Sequence, residues 1–125
     1  MKILITGANG FIGSYLAKFF LNKNFEVIAT SRQFHESTKK LLAGTSFFDL
    51  DVLNKEQLND LSIKADIIIH TATANDIVSR NTLKGMELSA VGTKNILDFC
   101  TQRKYFKMYC IFHTTGIWHR TIRNY

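Results

Sequence analysis

Three glycines stand at a spacing that could bind a diphosphate. Gly7, Gly10 and Gly13 lie between a short aliphatic run, Lys2–Thr6, and a segment with helical spacing of apolar residues, Phe11–Asn22. In such a loop the first glycine makes the turn after the strand, the second lets phosphates approach the backbone, and the third lets helix and strand pack closely. The N–H groups at the start of the helix then face the anion. The alternative, a turn and helix start without a ligand, is disfavoured because glycines weaken a helix.

The remaining chain alternates short apolar runs with helical patterns, as expected for elements that position such a loop. Further strands are predicted at 25–30, 45–48, 66–70 and 109–112, and helices at 37–43, from Asn54 onward, and at about 80–103. Strand, helix and strand in repeated order favour parallel pairing with helices on both faces of one sheet. We therefore predict an α/β fold, a Rossmann-type doubly wound parallel sheet with strand order 3-2-1-4-5.

The end of the chain shows little periodicity. Residues 117–125 are predicted to form an irregular tail, and Arg120 and Arg123 make it basic. We accordingly assign residues 1–118 to the domain and residues 119–125 to a basic tail.

Five segments form an ordered set of motifs along the chain. They are Ile3–Ser14 (ILITGANGFIGS), Asp49–Asp51 (DLD), His70–Thr73 (HTAT), Val91–Leu97 (VGTKNIL) and Thr114–Trp118 (TTGIW). Together they resemble the extended short-chain dehydrogenase/reductases, a group that includes NAD(P)-dependent nucleotide-sugar epimerases, dehydratases and reductases. The resemblance covers roughly residues 2 to 118. It implies that the chain is the dinucleotide-binding part of such an enzyme, with a nucleotide-sugar as substrate of a full-length form.

The resemblance also implies where the cofactor would bind. The diphosphate would be held by the glycine loop, namely Gly7, Gly10, Phe11, Ile12 and Gly13. The adenine would meet Asp49 and Leu50, and the nicotinamide side would be lined by Ala72 and Thr73.

The end of the second predicted strand bears on the choice of cofactor. An aspartate or glutamate there accepts hydrogen bonds from the ribose hydroxyls of NAD, whereas a cation accommodates the 2′-phosphate of NADP. Here Ser31 and Arg32 occupy the strand end, and the next acidic residue is Glu36. Arg32 can bind phosphate through two parallel hydrogen bonds, so NADP is favoured and NAD stays the alternative. The competing interpretation is that Arg32 is only a solvated residue at a strand end.

The catalytic groups implied by the family are only partly present. Thr114 lies four residues before Trp118, which matches the family spacing between a substrate-holding hydroxyl residue and the tyrosine of a V-Y-G segment, so the resemblance gives Thr114 the hydroxyl role, with Thr115 as the alternative. Both threonines could instead cap the next turn. No tyrosine in the chain is followed by lysine four residues later, the pair that carries acid–base chemistry in the family. We therefore expect a chain truncated before the catalytic helix, or a cofactor-binding remnant or sensor without chemistry.

Composition narrows the remaining classes of function. The net charge is +6, but the basic residues are dispersed without a nucleic-acid-binding signature, so no nucleic-acid partner is expected. No apolar run reaches the ~20 residues that span a bilayer. Two cysteines, Cys100 and Cys110, are too few for a disulfide framework and lack metal-site spacing, so we expect a cytoplasmic protein without a metal. Members of the resembled family often dimerise through the corresponding helix, so the resemblance implies a possible homodimer through the helix at about 80–103.

Overall fold

The central feature of the fold is one six-stranded sheet. The computed structural model describes residues 1–73, 82–104, 107–112 and 116–121. The strands are β1 (Lys2–Thr6), β2 (Glu26–Ser31), β3 (Ser46–Asp49), β4 (Ile67–His70), β5 (Lys107–Phe112) and β6 (Gly116–Thr121). Their order in the sheet is β3-β2-β1-β4-β5-β6, and β1 to β5 pair in parallel. The predicted order 3-2-1-4-5 is therefore confirmed.

Helices connect the parallel strands. They are α1 (Phe11–Asn22), α2 (Glu36–Leu41), α3 (Lys55–Asp60) and α4, which runs over 82–103. The helix α4 has three segments: an α-helical start at Thr82–Met86, a π-helical turn at Glu87–Gly92, and an α-helical continuation at Thr93–Arg103. In the described part of the chain, no helix is long and apolar enough to cross a membrane.

Two apolar cores lie on opposite faces of the sheet. Alternate residues of β1 divide between them, because successive side chains of a strand point to opposite faces. Ile3 and Ile5 pack in one core with Ala17 of α1, whereas Leu4 packs in the other with Leu58 of α3 and with Ile96 and Phe99 of α4. All of these side chains are at most 3% exposed. Helices cover both faces, which is the doubly wound arrangement.

The sixth strand corrects the prediction for the end of the chain. Residues 117–121 are not an irregular tail, because Gly116–Thr121 forms β6, antiparallel to β5 from the pair Phe112–Gly116 to the pair Lys107–Thr121. A strand at the edge of a sheet is held by backbone hydrogen bonds from one neighbour, so it does not need the aliphatic run that identifies a central strand. The predicted domain boundary after residue 118 falls inside this strand.

Candidate functional site

The glycine loop leaves the carboxyl end of the central strand β1. Gly7 has a φ of +71°, in the left-handed region that glycine adopts without strain. A Cβ atom at Gly7 would lie 2.7 Å from the backbone nitrogen of Ala72, so the segment after β4 lies directly against this turn. The backbone N–H of Gly10 donates a hydrogen bond to the carbonyl of Gly7 at 2.9 Å. This bond closes the turn that leads from β1 into α1.

Gly13 lets the first turn of α1 lie against the loop. A Cβ atom there would lie 2.3 Å from the carbonyl oxygen of Gly7 and 2.7 Å from Oγ1 of Thr71. The Thr71 hydroxyl is itself fixed, since it donates a hydrogen bond to the carbonyl of Thr6 at 2.7 Å. No side chain fits at position 13, which is the close packing expected of the third glycine.

Gly10 has a different environment from the other two glycines. Among the described residues, the nearest atom to a Cβ placed there would be the Gly7 carbonyl oxygen, at 3.2 Å. Gly10 precedes α1, and its carbonyl accepts the first helical hydrogen bond, from the N–H of Ser14 at 2.9 Å. The N–H groups of Phe11, Ile12 and Gly13 consequently have no acceptor within the helix. Donors of this kind at the start of a helix favour an anion.

A cleft of about 880 Å³ opens beside these donors. Ligand pockets commonly measure ~300–1,000 Å³. The cleft lies at the carboxyl ends of β1, β2 and β4, where α/β sheets bind their ligands. Its lining residues are Gly7, Asn9, Gly10, Phe11, Ile12, Gly13, Ser31, Arg32, His35, Leu50, Val52, Thr71, Ala72, Thr73, Leu88 and Ile111.

Most of the predicted cofactor residues meet at this cleft. Ten of the eleven line it, and the exception is Asp49, the exposed last residue of β3. Its neighbour Leu50 is buried and faces the cleft, and neighbours in an extended chain point in opposite directions. Thr114 and Thr115, the predicted hydroxyl residues, lie outside the described residues.

Residues that sequence reasoning missed complete the end of the cleft next to β2. Asn9 accepts a hydrogen bond at its Oδ1 from the backbone N–H of His35, at 3.0 Å. Arg32 is exposed nearby, and the three ion pairs found in the described ranges do not include it. The position of Asn9 between Gly7 and Gly10 was a signal that could have found it. Val52, Thr71, Leu88 and Ile111 were also missed, and they come from separate elements.

His70 is buried behind the cleft as an uncharged link between elements. Its Nδ1 shares a hydrogen bond with the Thr6 hydroxyl at 2.7 Å, and its Nε2 shares one with the Thr93 hydroxyl at 3.1 Å. Burial removes the ring from water and lowers the pKa of His70 to about 4. The ring therefore joins β1, β4 and α4 in its neutral form. Within the described ranges, no three histidine, cysteine, aspartate or glutamate side chains form a group that could hold a metal ion.

Two of the curated proteins similar to this chain are named for reactions of dTDP-sugars. Over 74 residues this chain is 42% identical to a dTDP-6-deoxy-L-talose 4-dehydrogenase (NAD(+)) of Aggregatibacter actinomycetemcomitans. The matched region covers 58% of this chain and 27% of that protein. Over 118 residues this chain is 32% identical to a dTDP-D-glucose 4,6-dehydratase of Dictyostelium discoideum, covering 85% of this chain and 27% of that one. The chain thus spans about a quarter of the length of both relatives.

Solved structures share the fold. A UDP-Glc/GlcNAc 4-epimerase from Campylobacter jejuni superposes with a TM-score of 0.79 at 26% identity, covering 87% of this chain and 36% of that one. A Thermus thermophilus UDP-glucose 4-epimerase in complex with NAD gives a TM-score of 0.77 at 24% identity, covering 86% and 36%. The model of the NAD dependent epimerase/dehydratase family matches residues 3–115, a range that contains every residue lining the cleft. This chain belongs to the NAD dependent epimerase/dehydratase family.

Proposed function

We propose that the chain is the dinucleotide-binding part of an NAD(P)-dependent nucleotide-sugar epimerase, dehydratase or reductase. The observation that carries the proposal is the position of Gly10, which lines the cleft without a side chain, beside the N–H groups that begin α1. The diphosphate would lie over Gly10 and accept hydrogen bonds from these N–H groups. When bound, the nicotinamide ring would accept a hydride from the substrate in its oxidised form or donate one to it in its reduced form.

The two halves of the cofactor would use different walls of the cleft. The adenosine half would lie towards β2 and β3, where Leu50 offers an apolar contact and Ser31 a hydroxyl. The nicotinamide half would lie towards the segment after β4, beside Ala72 and Thr73. Thr114 would hold the substrate oxygen. The nucleotide-sugar substrate is extended to this chain from the names of its relatives.

We favour NADP because of the groups at the end of β2. Ser31 and Arg32 line the cleft where an NAD-binding chain would have a carboxylate. Arg32 is exposed and outside the ion pairs of the described ranges, so its donors can turn to a phosphate. NAD is the alternative, and the cofactor named for the family and for the talose dehydrogenase favours it.

Exchanging the two residues tests the cofactor assignment. A Ser31→Asp/Arg32→Ala variant should lower the ratio of NADP to NAD affinity at least ~10-fold, because each hydrogen bond to a charged group contributes ~1.5–3 kcal/mol. Arg103→Ala is the matched control, since Arg103 binds the carbonyl of Asn59 and does not line the cleft. Titration calorimetry with both cofactors measures the ratio, and an unchanged ratio in the double variant contradicts the assignment.

A second candidate function is cofactor binding without chemistry. It is favoured by the absence of a tyrosine followed four residues later by lysine in the 125 residues. The chain would then be a remnant or a sensor of the cofactor. Both candidate functions predict dinucleotide binding, and a turnover assay distinguishes them.

Two further parts of the proposal concern assembly and location. A homodimer would form through α4, where Leu83, Met86 and Val91 are 80%, 62% and 44% exposed. A cytoplasmic location agrees with Cys100 and Cys110, which are buried free thiols.

A further inference from the structure

A side chain of the glycine loop holds the loop that follows β2. Oδ1 of Asn9 accepts a hydrogen bond from the backbone N–H of His35 at 3.0 Å, across 26 positions of sequence. Asn9 lies between Gly7 and Gly10, and His35 immediately precedes α2 as its N-cap residue. Both residues line the cleft. The bond therefore joins the two loops that would meet opposite parts of the adenosine diphosphate.

Arg32 lies on the short segment between two fixed points. At the first, the carbonyl of Ser31 accepts a hydrogen bond from the N–H of Leu50 at 2.8 Å, which ties the end of β2 to the end of β3. At the second, the His35 N–H is held by Asn9. Only residues 32–34 lie between them. The backbone that carries the Arg32 guanidinium is consequently set by β2 on one side and, on the other, by Asn9 together with Phe34, whose ring packs against that of Phe47 in β3 with centroids 5.0 Å apart.

We propose that Asn9 is a positioning residue for cofactor choice: its hydrogen bond to the His35 N–H holds Arg32 where the guanidinium meets the 2′-phosphate of NADP. The proposal rests on the proposed function, because it needs a dinucleotide in the cleft. Asn9 acts on the 2′-phosphate through the loop, and Arg32 makes the contact.

Loss of this hydrogen bond should change the affinities of the two cofactors by different amounts. Because NAD has no 2′-phosphate, a displaced Arg32 should change the affinity for NAD little. The turn that faces the diphosphate has its own hydrogen bond, from the Gly10 N–H to the Gly7 carbonyl at 2.9 Å, and it survives the loss of the Asn9 amide. A change at Asn9 should therefore alter the ratio of the two affinities.

The experiment compares dissociation constants of NADP⁺ and NAD⁺ for the full chain by titration calorimetry. The variants are Asn9→Ala, Arg32→Ala, the double variant of both, and Asn9→Asp, which keeps an acceptor oxygen. Asn54→Ala is the matched control: Asn54 Oδ1 accepts a backbone hydrogen bond from Gln57 at 3.1 Å, and Asn54 does not line this cleft. Circular dichroism checks that each variant is folded.

The expected results concern the affinity ratio. Asn9→Ala should weaken NADP⁺ about three- to tenfold and NAD⁺ less than about twofold, the range that one net hydrogen bond accounts for. Asn9→Asp should keep the ratio near that of the parent, although its charge opposes both diphosphates. Asn54→Ala should leave both affinities unchanged. When Arg32 is already alanine, Asn9→Ala should no longer change the ratio.

Two results would overturn the positioning role. One is an equal loss of affinity for both cofactors in Asn9→Ala, and the other is an effect on the ratio that persists in the Arg32→Ala background. The failure of the proposed function looks different. If Arg32→Ala leaves the ratio of NADP⁺ to NAD⁺ affinity unchanged, the NADP assignment is wrong and the role of Asn9 is wrong with it. If Arg32→Ala lowers this ratio but Asn9→Ala does not, only the positioning role of Asn9 is wrong.

Discussion

Gly13→Ala places a methyl group into the contact between α1 and the end of β1. The added Cβ would lie 2.3 Å from the Gly7 carbonyl oxygen and 2.8 Å from its carbonyl carbon. Both atoms belong to the backbone of a turn, so no side-chain rotation can relieve the overlap. The start of α1 has to move away from the turn, and the hydrogen bond from Thr71 to the Thr6 carbonyl is disturbed with it.

The size of the effect follows from two opposing contributions. Inserting a methylene-sized group into a packed site costs ~1–3 kcal/mol, and a contact about 1 Å shorter than the optimum places this site at the upper end. Alanine is the better helix former by ~1 kcal/mol, which offsets part of the cost. We expect the free energy of unfolding to fall by about 2 kcal/mol, which lowers the urea midpoint by about 1 M.

Urea unfolding followed by circular dichroism measures this change, and Gly10→Ala is the matched control. At Gly10 the added Cβ meets the Gly7 carbonyl at 3.2 Å and otherwise enters the cleft. We expect Gly10→Ala to unfold within about 1 kcal/mol of the parent but to lose dinucleotide binding, because its methyl group lies where the diphosphate approaches. Two results would refute this division between packing and binding. One is a Gly13→Ala variant that is as stable as the parent, and the other is a Gly10→Ala variant that is as unstable as Gly13→Ala.

Two further predictions concern pH and turnover. Burial lowers the pKa of His70 to about 4, so the unfolded chain takes up the proton first as pH falls. The contribution of His70 to the free energy of unfolding is therefore complete above about pH 6.5, and about 3 kcal/mol of it is lost between pH 6.5 and pH 4. A His70→Gln variant should lack this part of the pH dependence in urea unfolding, and an equally steep curve would contradict it. The 125-residue chain should bind NADPH yet show no absorbance change with UDP- or dTDP-sugars, because acid–base assistance worth ~10²–10⁴ in rate is missing; clear turnover would exclude the binding-only function.

Two elements that depend on local sequence, β1 and α1, were predicted to the residue, whereas the predicted bounds of β2, β3 and β5 differ from the observed ones by one or two residues. The aliphatic run gives β1 at Lys2–Thr6, and the helical spacing after the glycines gives α1 at Phe11–Asn22, the same bounds as in the structure. Both elements are bounded by glycines and each has an apolar pattern of its own. The order of the parallel strands followed because short connections leave few arrangements of such units.

Features that depend on distant partners were not predictable in this way. The hydrogen bond between Asn9 and His35 joins two loops, and the sequence of neither loop indicates that the other lies next to it. The π-helical turn at Glu87–Gly92 interrupts the α-helical periodicity of α4, and Leu88 of that turn lines the cleft. The strand β6 exists because β5 offers an edge, which a periodicity argument does not detect.

The three glycines show why a motif needs the structure before it points to a ligand. The fold itself requires Gly7, which has a positive φ and lies against Ala72, and it requires Gly13, which lies against the Gly7 carbonyl. A chain without any ligand would need both. At Gly10, which lines the cleft, a Cβ would meet the Gly7 carbonyl oxygen at 3.2 Å, a tight contact but a milder one than those at Gly7 and Gly13. Gly10 precedes α1 beside N–H groups that have no acceptor within the helix, so the absence of a side chain there leaves room for an anion over this turn, which is the strongest local argument for a ligand.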